Sequence, residues 1–410
     1  MEYGKLNIHV VSENTNYPIS DATVRITSEN EPERTIEESN TNQEGQLNDI
    51  ELEAPPLEYS MEPGANKPYS EYTIYISAPG FETVEINGAE IFSGQTAIQE
   101  ASLLPVATGE PDSAELFVIP DHTLWGDYPP KIPENEIKTV EETGEIVLSR
   151  VVIPEYIVVH NGPPSDSRAK DYYVKYKDYI KNVASSEIYS TWPEATLQAN
   201  ILAIQSFTLN RVYTEWYRNK GYDFTITSST AYDHKWIPNR NIFDSISRVV
   251  DEIFSNYLSR PNVEQPILTQ YCDGRNVTCP NWMSQWGSKA LGDQGFTPIE
   301  IIRNYYGDSM FINSTEEISG IPSSYPGSPL RQGDSGEKVR QMQRQLNVIS
   351  NGYPLIPKIA EDGIFGPATE NAVRTFQKIF NLTQDGIVGL RTWYKISEIY
   401  VGVSRIAELV

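Results

Sequence analysis

The first hundred residues contain short runs in which hydrophobic and polar side chains alternate. Leu6, Ile8 and Val10 form one run, and another covers residues 22–26. A period of two is typical of strands that bury one face, and turn sequences with Gly or Pro separate the runs. Residues 1–105 are therefore predicted to form an all-β sandwich, with no group of residues that indicates catalysis.

The period becomes helical after residue 175. Glu187 extends an apolar stripe on one face of a predicted helix, which Trp192-Pro193 ends. A carboxyl group that faces the interior loses hydration, so its pKa rises and it can act as a general acid. The alternative is that Glu187 lies in a frayed last turn and points to solvent. The stripe itself consists of Tyr176, Ile180, Val183 and Ala184.

Residues 330–405 show a third pattern, of short helices with apolar residues at spacings of three and four. The sequence Asp-Gly-Ile-Phe-Gly at residues 362–366 recurs as Asp-Gly-Ile-Val-Gly at residues 385–389, each time before a predicted helix. Glycine permits the tight bend that such a repeat needs. This part of the chain is predicted to be a small all-α domain without a nucleophile and base.

Two stretches read as linkers. Residues 106–154 are rich in Pro and acidic residues, which predicts an extended, exposed connection of the kind that proteases cut. A Pro/Ser-rich bridge precedes residue 330. The remaining stretch, residues 155–315, is predicted to be a separate central domain that contains Glu187.

The net charge of −24 argues against nucleic-acid binding, which needs basic patches. The chain has no run of eighteen apolar residues, so no transmembrane helix and no membrane partner are predicted. Its start lacks the basic and apolar segments of a secretory signal. We therefore expect a protein that stays in the cell where it is made or is deposited by another route.

The two cysteines, Cys272 and Cys279, allow three alternatives: a disulfide, a zinc site with outside ligands, or free thiols. Zinc needs at least three protein ligands, and no histidine lies between Gln265 and Asp308. We expect no cofactor, with zinc at the cysteines as the alternative.

Two stretches of the central domain resemble the SpoIID/LytB family. VASSEIYSTWPEATLQANILAIQSFTLNR is similar to the start of that domain, and NWMSQWGSKALGDQGFTPIEIIRNYYGD at residues 281–308 is similar to its end. The resemblance implies an α+β fold and a lytic transglycosylase of peptidoglycan, with Glu187 as the catalytic glutamate. It also implies zinc in some members, but Thr269 and Gln270 depart from that pattern.

Eight further residues of the central domain are expected to contact substrate. Tyr232, Asp233 and His234 follow a predicted strand that reaches the groove. The others supply an amide, a close approach of backbone or aromatic rings, which suit sugar recognition. They are Ser284, Gln285, Gly287, Tyr305 and Tyr306.

The outer domains carry resemblances of their own. Residues 1–105 resemble a prealbumin-like sandwich, and the repeat in residues 330–405 resembles the peptidoglycan-binding domain of type 1, which implies anchoring to the wall. This order of parts resembles the SleC-type spore cortex-lytic enzymes of clostridia. It implies a precursor that the mother cell makes without a signal peptide, stored in the cortex or coat region of the dormant spore. A subtilisin-like protease would activate it during germination by cutting between Gly144 and Ile153.

The expected reaction is cleavage of MurNAc–GlcNAc bonds in cortex glycan strands, with 1,6-anhydro-MurNAc products. Three alternatives remain. A hydrolase would need a second carboxyl group, for which Asp233 and Asp273 are candidates. An N-acetylmuramoyl-L-alanine amidase would need metal at the cysteines. A non-catalytic wall-binding protein would enhance a partner amidase.

Overall fold

The computed structural model describes residues 2–29, 31–64, 66–106, 114–122, 124, 131–139, 148, 150–315, 318–319, 326 and 328–404. A β-rich N-terminal region, a mixed central region and a helical C-terminal region follow one another. The predicted multidomain organisation is confirmed. No helix within the described ranges combines the length and apolar composition that a membrane span requires.

The N-terminal region consists of two sheets with a common core. Leu6, Ile8 and Val10 on one sheet and Val24 and Ile26 on the other are all buried, as their alternation predicts. The strands are β1 (Glu2–Ser12), β2 (Thr23–Ser28), β3 (Glu31–Asn40), β4 (Gln46–Ala54), β5 (Ser70–Ser77), β6 (Thr83–Ile91), β7 (Thr96–Leu103) and β8 (Ala114–Val118), with the short helix α1 (Glu58–Met61) after β4.

The central region is built around one buried helix, α3 (Glu194–Tyr213). Almost every residue of α3 between Thr196 and Arg211 is buried, and its neighbours pack around it on several sides. The elements are β9 (Ile153–Pro154), β10 (Tyr156–His160), β11 (Asp171–Lys175), α2 (Tyr176–Glu187), α3 (Glu194–Tyr213), a 3-10 turn (Arg218–Lys220), β12 (Ile226–Thr227), β13 (Ile242–Phe243), α4 (Asp244–Ile253), β14 (Asn256–Ser259), β15 (Tyr271–Cys272), β16 (Met283–Ser284), α5 (Gln285–Asp293), α6 (Pro298–Tyr306), β17 (Phe311–Ser314) and β18 (Ile318–Ser319).

The N-terminal sheets extend beyond the predicted boundary at residue 105. One sheet has the order β3-β2-β5-β6-β8, in which β8 lies parallel to β6. The other has the order β13-β7-β1-β4, in which β13 of the central region pairs with β7 through Ile242 and Ile98. An edge strand offers unpaired N–H and C=O groups, so a strand from elsewhere can complete it. The sandwich is thus joined to the central region by a shared sheet.

The C-terminal region contains α7 (Glu337–Ile349), α8 (Pro367–Ile379) and α9 (Leu390–Ser404). Its two repeats bend at Gly363 and Gly386, with φ of 74° and 71°. These angles are in the left-handed region that favours glycine. The predicted small all-α domain is confirmed.

Where the structure describes the linker of residues 106–154, the chain is packed more closely than its composition predicts. Besides β8, residues 131–138 lie along the central region, and Lys138 is 5% exposed. Glu134 and Glu136, which suggested a solvated stretch, form ion pairs with Arg211 and Arg260. Composition was a poor guide to these residues because a glutamate is stable in a packed segment when an arginine pairs with it.

Candidate active site

Glu187 is the last residue of α2 and is 7% exposed. Its Oε1 accepts a hydrogen bond of 2.7 Å from the backbone N–H of Lys235, and its Oε2 accepts one from the hydroxyl of Tyr271. The side-chain amide of Gln285 donates to the Glu187 backbone carbonyl at 3.0 Å. The structure therefore places this carboxyl group in the interior, at the meeting point of four separate segments.

Burial raises the pKa of the Glu187 carboxyl group. The positive charge of Lys131, the Tyr271 hydroxyl and the N–H of Lys235 all favour the ionised form, but they do not cancel the effect of burial. The result is a group that holds a proton to higher pH than an exposed glutamate and has donors in place for the anion. This combination suits a group that gives up a proton and later takes one back.

Tyr271 is the residue beside Glu187 that sequence reasoning missed. It lies in β15, which pairs in parallel with β16, and its ring stacks on His234 with centroids 6.0 Å apart. Burial raises the pKa of the Tyr271 phenol well above its usual value, so it stays a hydrogen-bond donor. No local pattern could have found it, because Tyr271 lies 84 positions after Glu187 in the chain.

Asp233 and His234 lie inside the protein rather than on the wall of a groove. Asp233 accepts hydrogen bonds from Arg211 at 2.7 Å and Tyr217 at 2.6 Å, and both its oxygens have partners. His234 is fully buried, with Nδ1 3.0 Å from the Tyr179 hydroxyl. Burial lowers the pKa of His234 well below its usual value, so the ring is neutral. Both residues are held by neighbouring side chains in the interior, next to the site.

Tyr232 differs from these two neighbours. Its side chain is half-buried, and its backbone carbonyl accepts a hydrogen bond of 3.1 Å from Arg211. Its contact with substrate remains a prediction. Asp273, a candidate second acid, uses both oxygens to accept from Asn276 N at 2.8 Å and Val277 N at 2.9 Å. Asp273 and Asp233 are therefore both engaged in holding the local backbone.

The five later candidates form a connected group. Ser284 caps α5 by accepting from Gly287 N at 2.9 Å, and Gln285 holds the backbone of Glu187. A Cβ at Gly287 would come within 2.1 Å of the Tyr305 hydroxyl, so a larger residue there would displace the Tyr305 side chain. Tyr306 is buried and donates to the Gln270 carbonyl at 2.8 Å. Tyr306 and Gln285 thus have structural partners.

Ser284 and Tyr305 also face open space. Together with Gly274, Thr278, Asn281, Trp282 and other neighbours, they line a crevice of about 430 Å³. Because β15 and β16 are paired, this crevice begins beside the strand that carries Tyr271. It is the part of the predicted substrate site that the structure leaves accessible.

Cys272 and Cys279 are joined in a disulfide, with their Cα atoms 5.6 Å apart. Of the three alternatives, the structure takes this one. Cysteines joined in a disulfide have no thiolate with which to bind zinc, and the described parts of the chain contain no group of three His, Cys, Asp or Glu residues placed to hold a metal. The residues around these cysteines do not fit the zinc site that some family members have.

Two stretches of the chain match the models of known protein families. Residues 168–256 match the model of the stage II sporulation protein SpoIID, a range that includes Glu187 and ends before Tyr271. Residues 335–396 match the model of a peptidoglycan binding domain. The first match covers α2 and α3, and the second covers both glycine repeats.

Among similar proteins, a zinc D-Ala-D-Ala carboxypeptidase of Streptomyces albus G is 38% identical over 89 residues, which are 21% of this chain and 33% of the relative. The N-acetylmuramoyl-L-alanine amidase CwlL of Bacillus licheniformis is 24% identical over 216 residues, 52% of this chain and 56% of the relative. The crystal structure of the SleB N-terminal domain is 30% identical and aligns with 18% of this chain and 97% of its own, with a TM-score of 0.17.

The chain thus spans a third to just over half the length of these two curated relatives. Their names say what they do, and the shared parts are segments of each. The two family matches lie on separate structural regions, the helix pair that carries Glu187 and the three C-terminal helices. The protein therefore combines a SpoIID domain with a C-terminal peptidoglycan binding domain.

Proposed function

We propose that this protein is a lytic transglycosylase of spore cortex peptidoglycan, with Glu187 as its catalytic acid and base. The observation that carries the proposal is a buried carboxyl group of raised pKa, held by two donors, within the SpoIID match. The peptidoglycan binding domain supports the same substrate, because an anchoring module raises the local concentration of enzyme on an insoluble wall.

The reaction needs one carboxyl group. Protonated Glu187 donates its proton to the glycosidic oxygen between MurNAc and GlcNAc, and that bond breaks as positive charge develops at C1 of the muramic sugar. The carboxylate of Glu187 then removes the proton from the C6 hydroxyl of the same sugar, whose oxygen bonds to C1. The products are a 1,6-anhydro-MurNAc end and a free GlcNAc hydroxyl, and Glu187 is protonated again.

The donors around Glu187 suit both halves of this cycle. The Tyr271 hydroxyl and the Lys235 N–H stabilise the carboxylate that forms after the first proton transfer. Burial disfavours the same anion and makes it a stronger base toward the C6 hydroxyl. The hydrogen bonds that already occupy Asp233 and Asp273 count against a second acid for a hydrolase.

The biological setting rests on the resemblance to SleC-type enzymes. We propose a precursor made in the mother cell, located in the cortex or coat region of the dormant spore and activated by a subtilisin-like protease. The proposed cleavage range is Gly144 to Ile153, of which residues 144–147 and 149 lie outside the described residues. Incubation of the precursor with that protease, followed by N-terminal sequencing, tests the placement.

An amidase is the second candidate, because CwlL carries that name. It would cut between MurNAc and L-alanine and leave the glycan intact. The disulfide counts against the metal ligation at Cys272 and Cys279 that such an activity was expected to need. A non-catalytic enhancer of a partner amidase would release nothing when it acts alone.

Mass spectrometry of the products that the processed protein releases from purified cortex separates these functions. Ends in 1,6-anhydro-muramic acid support the proposal, whereas reducing muramic acid indicates a hydrolase and freed peptides indicate an amidase. Glu187→Gln is the test variant, and Glu194→Gln is its control because Glu194 is exposed at the start of α3. The same products from Glu187→Gln at the wild-type rate would refute the assignment.

A further inference from the structure

The crevice beside β15 and β16 has a wall that the disulfide closes. Cys272 is the last residue of β15, and Cys279 is one of the residues that line the crevice. Only residues 273–282 connect these two parallel strands, whereas a parallel pair normally needs a connection of about a dozen residues or more. The disulfide therefore ties a short loop to the strand that carries Tyr271.

The same loop packs on the start of α5. The carbonyl of Asp273 accepts a hydrogen bond of 3.2 Å from the backbone N–H of Trp286. Gly274 has a φ of 75°, which favours glycine, and a Cβ there would come within 1.8 Å of the Ser284 hydroxyl oxygen. A loop held at these points gives the crevice a preformed wall.

The lining of the crevice is polar but uncharged. Hydroxyl groups come from Thr278 and Ser284, amide groups from Asn281 and Asn304, and aromatic rings from Trp282 and Tyr305. Among the described residues that line it, none has a charged side chain, although the net charge of the chain is −24. Its volume of about 430 Å³ is within the range of about 300–1,000 Å³ that small-ligand sites have. The crevice therefore suits a neutral ligand.

These groups match N-acetylglucosamine, GlcNAc. Amide and hydroxyl side chains both donate and accept hydrogen bonds, as the hydroxyl and acetamido groups of this sugar require. An aromatic ring packs well on the apolar C–H groups that a sugar ring presents. A muramic sugar with a free carboxylate or a peptide brings charge, and the described lining has no opposite charge to pair with it.

The crevice lies next to two residues that hold Glu187. Ser284 is followed by Gln285, whose amide donates to the Glu187 backbone carbonyl at 3.0 Å. On the paired strand, Cys272 follows Tyr271, whose hydroxyl donates to the Glu187 carboxyl group. A sugar bound in the crevice is therefore close to the residues that position the proposed acid.

We propose that this crevice is a subsite for a GlcNAc unit of the glycan strand, and that the disulfide holds its wall in place. The proposal rests on the proposed action on glycan strands. GlcNAc and MurNAc alternate along a strand, so a subsite that prefers the neutral sugar fixes the register of the strand. The crevice thereby helps to decide which of the two kinds of glycosidic bond lies at Glu187.

The experiment uses the full chain with 5-fluorotryptophan in place of tryptophan. The chain has seven tryptophans, and the fluorine NMR signal of Trp282 is identified by its absence in Trp282→Phe. The probe is the trisaccharide of GlcNAc, which contains no MurNAc–GlcNAc bond. We expect titration to shift the Trp282 signal, which separates the crevice from sugar binding by the peptidoglycan binding domain. An unmoved Trp282 signal at the highest soluble trisaccharide concentration would overturn the subsite.

Asn304→Ala removes one amide from the lining and should weaken trisaccharide binding about three- to tenfold. Asn313→Ala is the matched control, because Asn313 is exposed on β17 and is not among the residues that line the crevice. It should bind as the wild type does. Equal affinities of the two variants would contradict the assignment.

A pair of single sugars tests the preference for a neutral ligand. N-acetylmuramic acid differs from GlcNAc by a lactyl group with a carboxylate. It should bind at least about tenfold more weakly than GlcNAc, as followed by the same Trp282 signal. Equal or tighter binding of N-acetylmuramic acid would show that the crevice does not select GlcNAc.

Reduction of the disulfide tests the wall. Cys272 and Cys279 are the only cysteines of the chain, so a dithiol reductant acts on this bond alone. The S–S bond breaks as the dithiol gives two electrons and two protons to the two sulfurs and becomes a cyclic disulfide. The reduced chain should bind the trisaccharide at least about tenfold more weakly, because the wall is no longer preformed, and reoxidation should restore binding. Equal affinity of the reduced and oxidised chains would refute the role of the disulfide.

Failure of this proposal and failure of the proposed function give different results. A shifted Trp282 signal, together with reducing muramic acid among the cortex products, would keep the subsite and overturn the transglycosylase. Products that end in 1,6-anhydro-muramic acid, without any shift of the Trp282 signal, would keep the transglycosylase and overturn the subsite.

Discussion

The peptidoglycan binding domain and the SpoIID site both contain buried polar side chains, but these side chains find their hydrogen-bond partners in different parts of the chain. In the former, Gln343 donates to Asp362 at 3.0 Å and accepts from Gly363 N at 2.8 Å. Gln377 does the same with Asp385 at 2.8 Å and Gly386 N at 2.9 Å. All partners of each glutamine lie within 26 positions of it. Both glutamines thus find their hydrogen-bond partners close by in the chain.

The SpoIID site takes its partners from across the chain. Glu187 is held from 48 positions away by Lys235 and from 84 positions away by Tyr271. Lys131, from the linker, lies 4.8 Å from the centroid of the Tyr271 ring. Because each of these glutamines and its partners lie in one short stretch of chain, their hydrogen bonds do not depend on how distant segments pack. A site assembled from distant segments can be changed by moving one of them. Such a site cannot be recognised from a local sequence pattern.

The largest effect that distinguishes the two regions is expected from Glu187→Gln. Loss of the proton donor should lower the rate of product release on the order of a hundred- to ten-thousandfold. Stability should change little, because glutamine keeps an oxygen for the Lys235 N–H and loses a charge that burial disfavours. Release rates and thermal unfolding of the same samples check both parts, and a large fall in melting temperature would mean that the carboxyl group is structural.

Gln343→Ala and Gln377→Ala should have the opposite profile. Each leaves a buried glycine N–H unpaired and removes the bonds that hold the repeat, so each should cost roughly 2–4 kcal/mol of unfolding free energy of the C-terminal domain. Catalysis on soluble glycan fragments should not change. Arg344→Ala is the control, because Arg344 is exposed and follows Gln343 on α7. Denaturant titration measures the loss of unfolding free energy. Unequal losses for the two variants would show that the two repeats are not equivalent.

Acid should loosen the long-range contacts before the repeats. Burial lowers the pKa of His122 to about 4, against the opposing charge of Glu90, while Arg240 and Lys235 add to the shift. The unfolded state therefore binds more protons than the folded state between about pH 6.5 and 4, so this stability is present above 6.5 and is lost as pH falls through that window. The loss is on the order of 3 kcal/mol.

His122→Gln should remove this pH dependence from the contact between sandwich and SpoIID domain. Unfolding followed at several pH values in wild type and variant gives the two slopes. Equal slopes would show that His122 does not carry the acid sensitivity of this contact.

The smallest effect is expected from Tyr271→Phe, which removes one donor from the Glu187 carboxylate. The rate should fall about tenfold, and the pKa of Glu187 should rise further because the Tyr271 hydroxyl lowers it. Activity that needs the protonated acid is lost as pH rises through that pKa, so the alkaline limb of the rate profile should move to higher pH. An unmoved limb would show that Tyr271 only packs, and Tyr257→Phe, in β14, is the matched control.

The sequence by itself determined the elements whose causes are local. Alternation predicted the sandwich, helical spacing placed Glu187 on the buried face of α2, and the glycine repeat marked the bends at Gly363 and Gly386. Each depends on residues within a few turns of one another, where periodicity and turn chemistry act directly.

Tertiary structure alone decided what lies around Glu187. The contact of Tyr271 with Glu187, the interior position of Asp233 and His234, and the packing of Glu134 all depend on segments far apart in the chain. The acidic composition of the linker suggested solvent exposure, yet Glu134 forms an ion pair with the buried Arg211. The burial of a side chain and the charges around it depend on which segments pack against it. The spacing of residues along one segment does not reveal them.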